Sequence, residues 1–142
     1  MPSLNKILLT YKLGDLQQYL GEIETLASVD LKTYQADFVK RHAVEKLIEL
    51  IVEIASDINR EFINASGREP ATTYFSTFEE MGEIGVLPKA LVTKLAQTTG
   101  LRNRLIHGYE KIDHQIVFQG LKPFVRDYKQ YFVMISDYLN KP

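Results

Sequence analysis

Apolar side chains recur along most of the chain at spacings of three and four residues, the period of an amphipathic α-helix. The first such set is Leu13, Leu16, Leu20, Ile23 and Ala27. With Ser3 available as an N-cap, this set predicts a helix over residues 4–28. A wider apolar face over residues 37–65 predicts a second helix about 43 Å long. We expect this second helix to be the central rod of the fold.

Glycine and proline divide the second half of the chain into shorter segments. We expect a loop over 68–73 and then a helix over 74–84 that is closed by Gly85. The next helix starts at Pro88 and bends at Gly100. A last helix is capped by Asp113 and kinks or restarts at Pro123. Neither an alternating strand pattern nor an internal repeat is present. We therefore predict an all-α fold, a single domain over residues 1–142 built as an up-and-down bundle of four or five helices.

Composition excludes several chemistries. The 142 residues include no cysteine, which rules out disulfides, a cysteine nucleophile and cysteine-bound metals. No histidine follows a glutamate at the spacing that di-metal helical bundles use, so we expect no metal and no cofactor. No apolar run approaches the roughly 18–20 residues of a membrane span, and no signal-peptide pattern is found. We expect a cytoplasmic protein without a membrane partner.

Polar chemistry is concentrated in one short segment, residues 101–109, between two predicted helices. Arg102 and Arg104 carry planar cationic groups suited to phosphate oxygens, and His107 supplies an imidazole, the type of side chain suited to proton transfer near neutral pH. Five helical residues turn the chain by about 140° beyond a full turn, so Arg102 and His107 would not share a face of a straight helix. We expect Gly108 to end the helix in the left-handed conformation and to let His107 and Tyr109 lie on the following turn.

This group of side chains is suited to the cleavage of RNA. A 2′-hydroxyl that attacks the adjacent phosphate must lose a proton, and negative charge then builds on the phosphate oxygens. His107 would act as the base or acid and Arg102 as the stabilising cation. Because the segment holds one histidine, the second proton-transfer group could come from a symmetry-related subunit. The alternative from spacing alone is a structural histidine beside solvated arginines.

The segment Arg102-Asn103-Arg104-Leu105-Ile106-His107-Gly108-Tyr109 resembles the Arg-x4-His-x-Tyr signature of HepT-like toxins, all-helical proteins of the HEPN superfamily. The similarity extends to the start of the long helix at residues 38–45 and to Asp57-Ile58-Asn59 near its end. The resemblance implies a HEPN-like fold and a homodimeric, metal-independent ribonuclease toxin with a composite site at the dimer cleft.

In that family the signature arginine and histidine, here Arg102 and His107, are catalytic. The cognate antitoxin is an MntA-like minimal nucleotidyltransferase that transfers AMP from ATP to the signature tyrosine, here Tyr109. Asn103, Arg104 and Gly108 would support the site. Two alternatives are a non-catalytic subunit that presents substrate to such a nucleotidyltransferase, and a helical interaction module with a vestigial signature.

Charge patterning adds two observations. The stretch from Lys89 to His114 holds five basic and two acidic side chains, although the whole chain has a formal charge of −1. The long helix carries an acidic stripe with a four-residue repeat, formed by Glu45, Glu49, Glu53, Asp57 and Glu61. Like charges at this spacing destabilise a helix slightly. The stripe is either a solvated face relieved by nearby basic residues or a contact surface for the antitoxin or a second copy.

Overall fold

The computed structural model describes residues 3–108 and 111–141. These residues form six helices: α1 (Lys6–Ala27), α2 (Leu31–Ala36), α3 (Phe38–Ala65), α4 (Tyr74–Glu83), α5 (Lys89–His107) and α6 (His114–Leu139). No β-strand occurs in these two stretches. The all-α prediction is confirmed, but the predicted number of four or five helices is too low.

The additional helix is α2, which lies where the sequence analysis assigned no element. The Asp30 carboxylate caps it by accepting a hydrogen bond from the Thr33 N–H at 2.8 Å. Tyr34 is fully buried, and its ring centroid lies 5.0 Å from that of Phe118 on α6. A helix of six residues is too short to show an apolar repeat. The buried Tyr34 side chain and the Asp30 cap together hold α2 in place.

The long central helix is confirmed, but it is the third helix and not the second. It has 28 residues, so it is about 42 Å long. The Asp37 carboxylate caps its first turn, accepting hydrogen bonds from the N–H groups of Val39 and Lys40, both at 3.1 Å. It packs against α1, α2, α4 and α5. Side chains on several faces of α3 therefore pack against the other helices.

One local prediction was wrong, and two others are narrowed. Asn5, and not Ser3, caps α1 by accepting a hydrogen bond from the Leu8 N–H at 3.1 Å. Helix α5 continues through Gly100 without a break, and α6 runs unbroken across Pro123, so the new helix start is excluded at Pro123. A helical glycine costs about 1 kcal/mol and a proline about 3 kcal/mol. Burial of Thr99 before Gly100, and of Leu121, Phe124 and Val125 around Pro123, outweighs those costs.

A buried chain of hydrogen bonds links α3, α4 and α6. The Tyr131 hydroxyl of α6 donates to Asn59 Oδ1 of α3 at 2.7 Å, and Asn59 Nδ2 donates to Thr77 Oγ1 of α4 at 3.2 Å. Thr77 Oγ1 in turn donates to the carbonyl of Tyr74 at 2.7 Å. Burial raises the pKa of the Tyr131 phenol well above its usual range, so it remains a donor. The network fixes the start of α4, where Tyr74 lies, relative to α3.

Candidate active site

Residues 101–107 of the polar segment form the last turns of α5. Gly108 follows the helix with φ 61° and ψ 16°, and its N–H donates to the Arg104 carbonyl at 3.2 Å. The predicted left-handed glycine is confirmed. His107, however, is the last residue of the helix and does not lie on the turn after it. The predicted AMP acceptor, Tyr109, lies outside the described residues.

Arg102 is held in one orientation by contacts with two other helices. Its Nη2 donates to Glu53 Oε1 of α3 at 2.9 Å and to the Tyr74 hydroxyl of α4 at 3.3 Å. The guanidinium carbon also lies 4.1 Å from the centroid of the Tyr74 ring, a cation–π contact. The Arg102 side chain is only 13% exposed. Because the Arg102 guanidinium is mostly buried and contacts both a carboxylate and an aromatic ring, its orientation is fixed before any ligand binds.

The supporting residues lie next to Arg102 on the exposed side of the helix. Asn103 Oδ1 accepts a hydrogen bond from Arg102 Nη1 at 3.2 Å, so Asn103 contacts the predicted catalytic cation directly. Arg104 is exposed, and it belongs with His107 to the last turn of α5. Cationic side chains at this end of a helix are stabilised by the partial negative charge of its terminal carbonyls.

The structure does not bring Arg102 and His107 onto one face of α5. The helix is regular between them, so their side chains leave its axis about 140° apart. Arg102 points toward α3 and α4, whereas His107 is exposed at the helix end. Within one chain the two predicted catalytic groups therefore face different surroundings.

Residues 102 and 103 line a cleft of about 440 Å³ between α3, α4 and α5. Its walls are Arg60, Thr72, Thr73, Tyr74, Phe75, Thr99, Arg102 and Asn103. Sequence reasoning missed Glu53, Tyr74 and Arg60 as neighbours of Arg102. For Glu53 a signal existed, because it belongs to the acidic stripe of the long helix. No sequence pattern identified Tyr74 or Arg60 as a neighbour of Arg102.

The acidic stripe has partners within the chain. Glu53 pairs with Arg102. Asp57 lies 3.4 Å from Arg60 Nη1 and 3.6 Å from Lys12 Nζ, and Glu45 lies 3.9 Å from His42 Nδ1. These pairs explain how a helix tolerates like charges one turn apart. Two members of the stripe hold the two arginines that line the cleft.

Within residues 3–108 and 111–141, no three His, Asp or Glu side chains are grouped so that they could hold a metal ion. Among the helices described, none is long and apolar enough to cross a membrane.

Residues 16–135 match the protein family described as ribonuclease HepT-like. The chain belongs to this family. The resemblance inferred from the signature segment is thereby confirmed, and the match covers all six helices except the first part of α1 and the last part of α6.

Individual relatives agree with this assignment. The tRNA nuclease HepT of Aphanizomenon flos-aquae is 29% identical over 139 residues, which cover 98% of this chain and 95% of the relative. Among solved structures, a tri-AMPylated HEPN toxin of Shewanella oneidensis in complex with an MNT antitoxin superposes with a TM-score of 0.84. It is 18% identical, and the match covers 91% of this chain and 96% of that one. The cytosolic protein YutE of Bacillus subtilis, whose function is unknown, gives a TM-score of 0.82 at 15% identity, covering 98% and 93%. The HEPN-like fold is confirmed.

Proposed function

We propose that the chain is the toxin of a toxin–antitoxin pair, an endoribonuclease that needs no metal and uses Arg102 and His107. Family membership and the tRNA nuclease relative support the ribonuclease activity. The observation in this chain that supports Arg102 most directly is its fixed orientation against Glu53 and Tyr74. Because the similar nuclease is named for tRNA, tRNA is the first substrate to test.

The chemistry follows from the two side chains. The imidazole of His107 takes the proton from a ribose 2′-hydroxyl, and the oxygen attacks the adjacent phosphorus. The bond to the 5′-oxygen of the next nucleotide breaks, and that oxygen receives a proton from an acid. The Arg102 guanidinium stabilises the charge that develops on the non-bridging oxygens. The products are a 2′,3′-cyclic phosphate and a 5′-hydroxyl.

A second copy of the chain would complete this site. Arg102 and His107 of one chain leave α5 in directions about 140° apart, so one phosphate cannot easily contact both. In a two-fold symmetric dimer, Arg102 of one protomer can face His107 of the other, and both histidines can lie at one cleft. Each dimer would then hold two composite sites, and each site would combine one Arg102 with one His107. We therefore include a homodimer in the proposed function.

Cleavage of RNA without metal tests the activity. The purified chain is expected to cut tRNA in the presence of EDTA and to leave ends with a 2′,3′-cyclic phosphate. RNA whose 2′-hydroxyls are replaced by hydrogen is expected to remain intact, because it has no internal nucleophile. Absence of cleavage across bacterial tRNA and total RNA would contradict the nuclease and favour the non-catalytic, substrate-presenting subunit.

The proposed partner is an MntA-like nucleotidyltransferase that modifies Tyr109. The structural relative solved with an MNT antitoxin and carrying AMP groups supports this proposal. The phenol oxygen of Tyr109 would attack the α-phosphorus of ATP, lose its proton and release pyrophosphate. Since Tyr109 is two residues from His107, the added AMP would place bulk and negative charge where the RNA phosphate binds.

Mass spectrometry after co-expression tests this modification. We expect one or more AMP units on the peptide that contains Tyr109 when the chain is produced with a neighbouring nucleotidyltransferase. The Tyr109→Phe variant should remain unmodified and should stay active as a nuclease in the presence of the partner and ATP. AMP groups on other residues, or none, would contradict the assignment of Tyr109.

A further inference from the structure

We propose that the cleft between α3, α4 and α5 binds a nucleotide of the RNA substrate beside the cleaved phosphate, with its base stacked on Phe75. This inference rests on the proposed nuclease activity and adds a binding site to it. The cleft contains Arg102, and its volume of about 440 Å³ lies in the range of small-ligand pockets. A nucleotide bound there would be next to the cation that stabilises the reacting phosphate.

Two arginines place oriented guanidinium groups at the cleft. The guanidinium carbons of Arg60 and Arg102 lie 5.1 Å and 4.1 Å from the centroid of the same Tyr74 ring. Each arginine is also held by a carboxylate of α3, Asp57 for Arg60 and Glu53 for Arg102. These two acids are one helical turn apart, so they hold both cations at one place. Two oriented guanidinium groups are suited to consecutive phosphates of an RNA strand.

Phe75 supplies an apolar surface beside these cations. Its side chain lines the cleft and is 47% exposed, although large aromatic residues are usually buried. Exposed aromatic rings next to arginines are the usual platform for unpaired bases, because every base can stack and every phosphate can pair. Asn103, also exposed in the cleft wall, has an amide that can bind a base edge or a 2′-hydroxyl.

The N-terminus of α4 does not explain the cleft as a simple anion site. The Thr73 hydroxyl accepts a hydrogen bond from the Ser76 N–H at 3.0 Å, and the Thr73 carbonyl accepts one from the Thr77 N–H at 3.2 Å. These two N–H groups are therefore paired within the chain, and the charged groups that line the cleft for an anion are the two arginines. The combination of arginines and an exposed ring favours a nucleotide over an isolated phosphate.

Binding of RNA to cleavage-inactive protein tests the proposal. In a His107→Ala background, fluorescence anisotropy with a labelled single-stranded RNA of mixed sequence gives the Kd. Adding Phe75→Ala is expected to weaken binding roughly 5- to 100-fold, the loss of one stacked base. Phe75→Tyr should restore most of the affinity. Arg60→Ala should weaken binding and reduce the slope of log K against log salt by roughly 0.7.

Phe38→Ala is the matched control. Phe38 is 63% exposed and lies at the start of another helix, α3, outside the cleft, so its loss should leave the Kd unchanged. Equal affinities of the Phe75→Ala protein and its parent would overturn the proposal. Displacement of the labelled RNA by AMP at concentrations similar to those of unlabelled RNA would also overturn it, because it would indicate a site for free nucleotides. Because the assay measures binding, it remains informative if the wild-type chain fails to cut RNA.

Discussion

Replacing either proposed catalytic residue is expected to abolish cleavage while the protein stays folded. His107→Ala removes the proton-transfer group, and Arg102→Ala removes the cation that stabilises the phosphorane-like charge. Each loss should lower the cleavage rate by about 10²- to 10⁴-fold. Initial rates on a labelled tRNA measure the effect. His107 is exposed at the end of α5, so its removal should leave the melting temperature nearly unchanged.

Two surface variants serve as controls for these losses. His42→Ala removes another exposed histidine, and Arg68→Ala removes an exposed arginine paired with Glu83. Neither lies in the proposed site, so both should keep the wild-type rate. Arg102→Lys separates charge from geometry: it keeps a cation but lacks the planar fork, and we expect it to remain strongly impaired. Full activity of the His107→Ala protein would contradict the mechanism.

The same pair of variants tests whether two chains form the site. In a mixed dimer of Arg102→Ala and His107→Ala chains, one of the two composite sites combines the intact arginine with the intact histidine. Random exchange of subunits in an equal mixture should therefore restore about a quarter of the wild-type rate. If each chain carried its own complete site, mixing would restore nothing.

Glu53→Gln is expected to lower kcat roughly 10- to 100-fold, because a displaced catalytic group loses its alignment with the reacting atoms. The substitution keeps an oxygen that can accept a hydrogen bond but removes the charge that holds Arg102 at 2.9 Å. Arg102 is then held mainly by Tyr74 and Asn103. At the same time KM should fall, since a negative charge next to an RNA-binding cleft is removed. Steady-state kinetics on tRNA separate the two effects.

The fall in KM distinguishes positioning from simple destabilisation, which would reduce the amount of active protein without improving substrate binding. Glu49→Gln, one turn earlier on α3, is the matched control and should leave both constants unchanged. An undiminished kcat in the Glu53→Gln protein would show that this carboxylate does not position Arg102. Glu53 is 36% exposed, so the folded state should tolerate the change.

Long amphipathic helices were predictable because their apolar repeats decide which face is buried. The repeats placed α3 within one residue of its observed bounds, and Asp113 was correctly identified as the cap of α6. Helix α2 was not predictable from an apolar repeat, because six residues are too few for one. Gly100 and Pro123 do not interrupt their helices, because burial of the side chains around them outweighs their low intrinsic helix preference.

The candidate site was predictable only in its sequence-local part. The segment from Arg102 to Tyr109 stood out because its cations and histidine are close along the chain. Glu53 and Tyr74 are 49 and 28 residues away from Arg102, and only the packing of α3 and α4 against α5 brings them to it. The acidic stripe was visible in the sequence, but its role as an internal partner for arginines required the fold.

In the proposed dimeric site, the unbroken course of α5 between Arg102 and His107 would set how activity depends on the amount of protein. If a working site needs two chains, activity rises with the square of the chain concentration until most chains are paired, and linearly after that. A cell that makes a few copies would contain mostly unpaired, harmless chains. By separating Arg102 from His107, the regular helix would thus keep the proposed toxin inactive at low expression, where no antitoxin is needed.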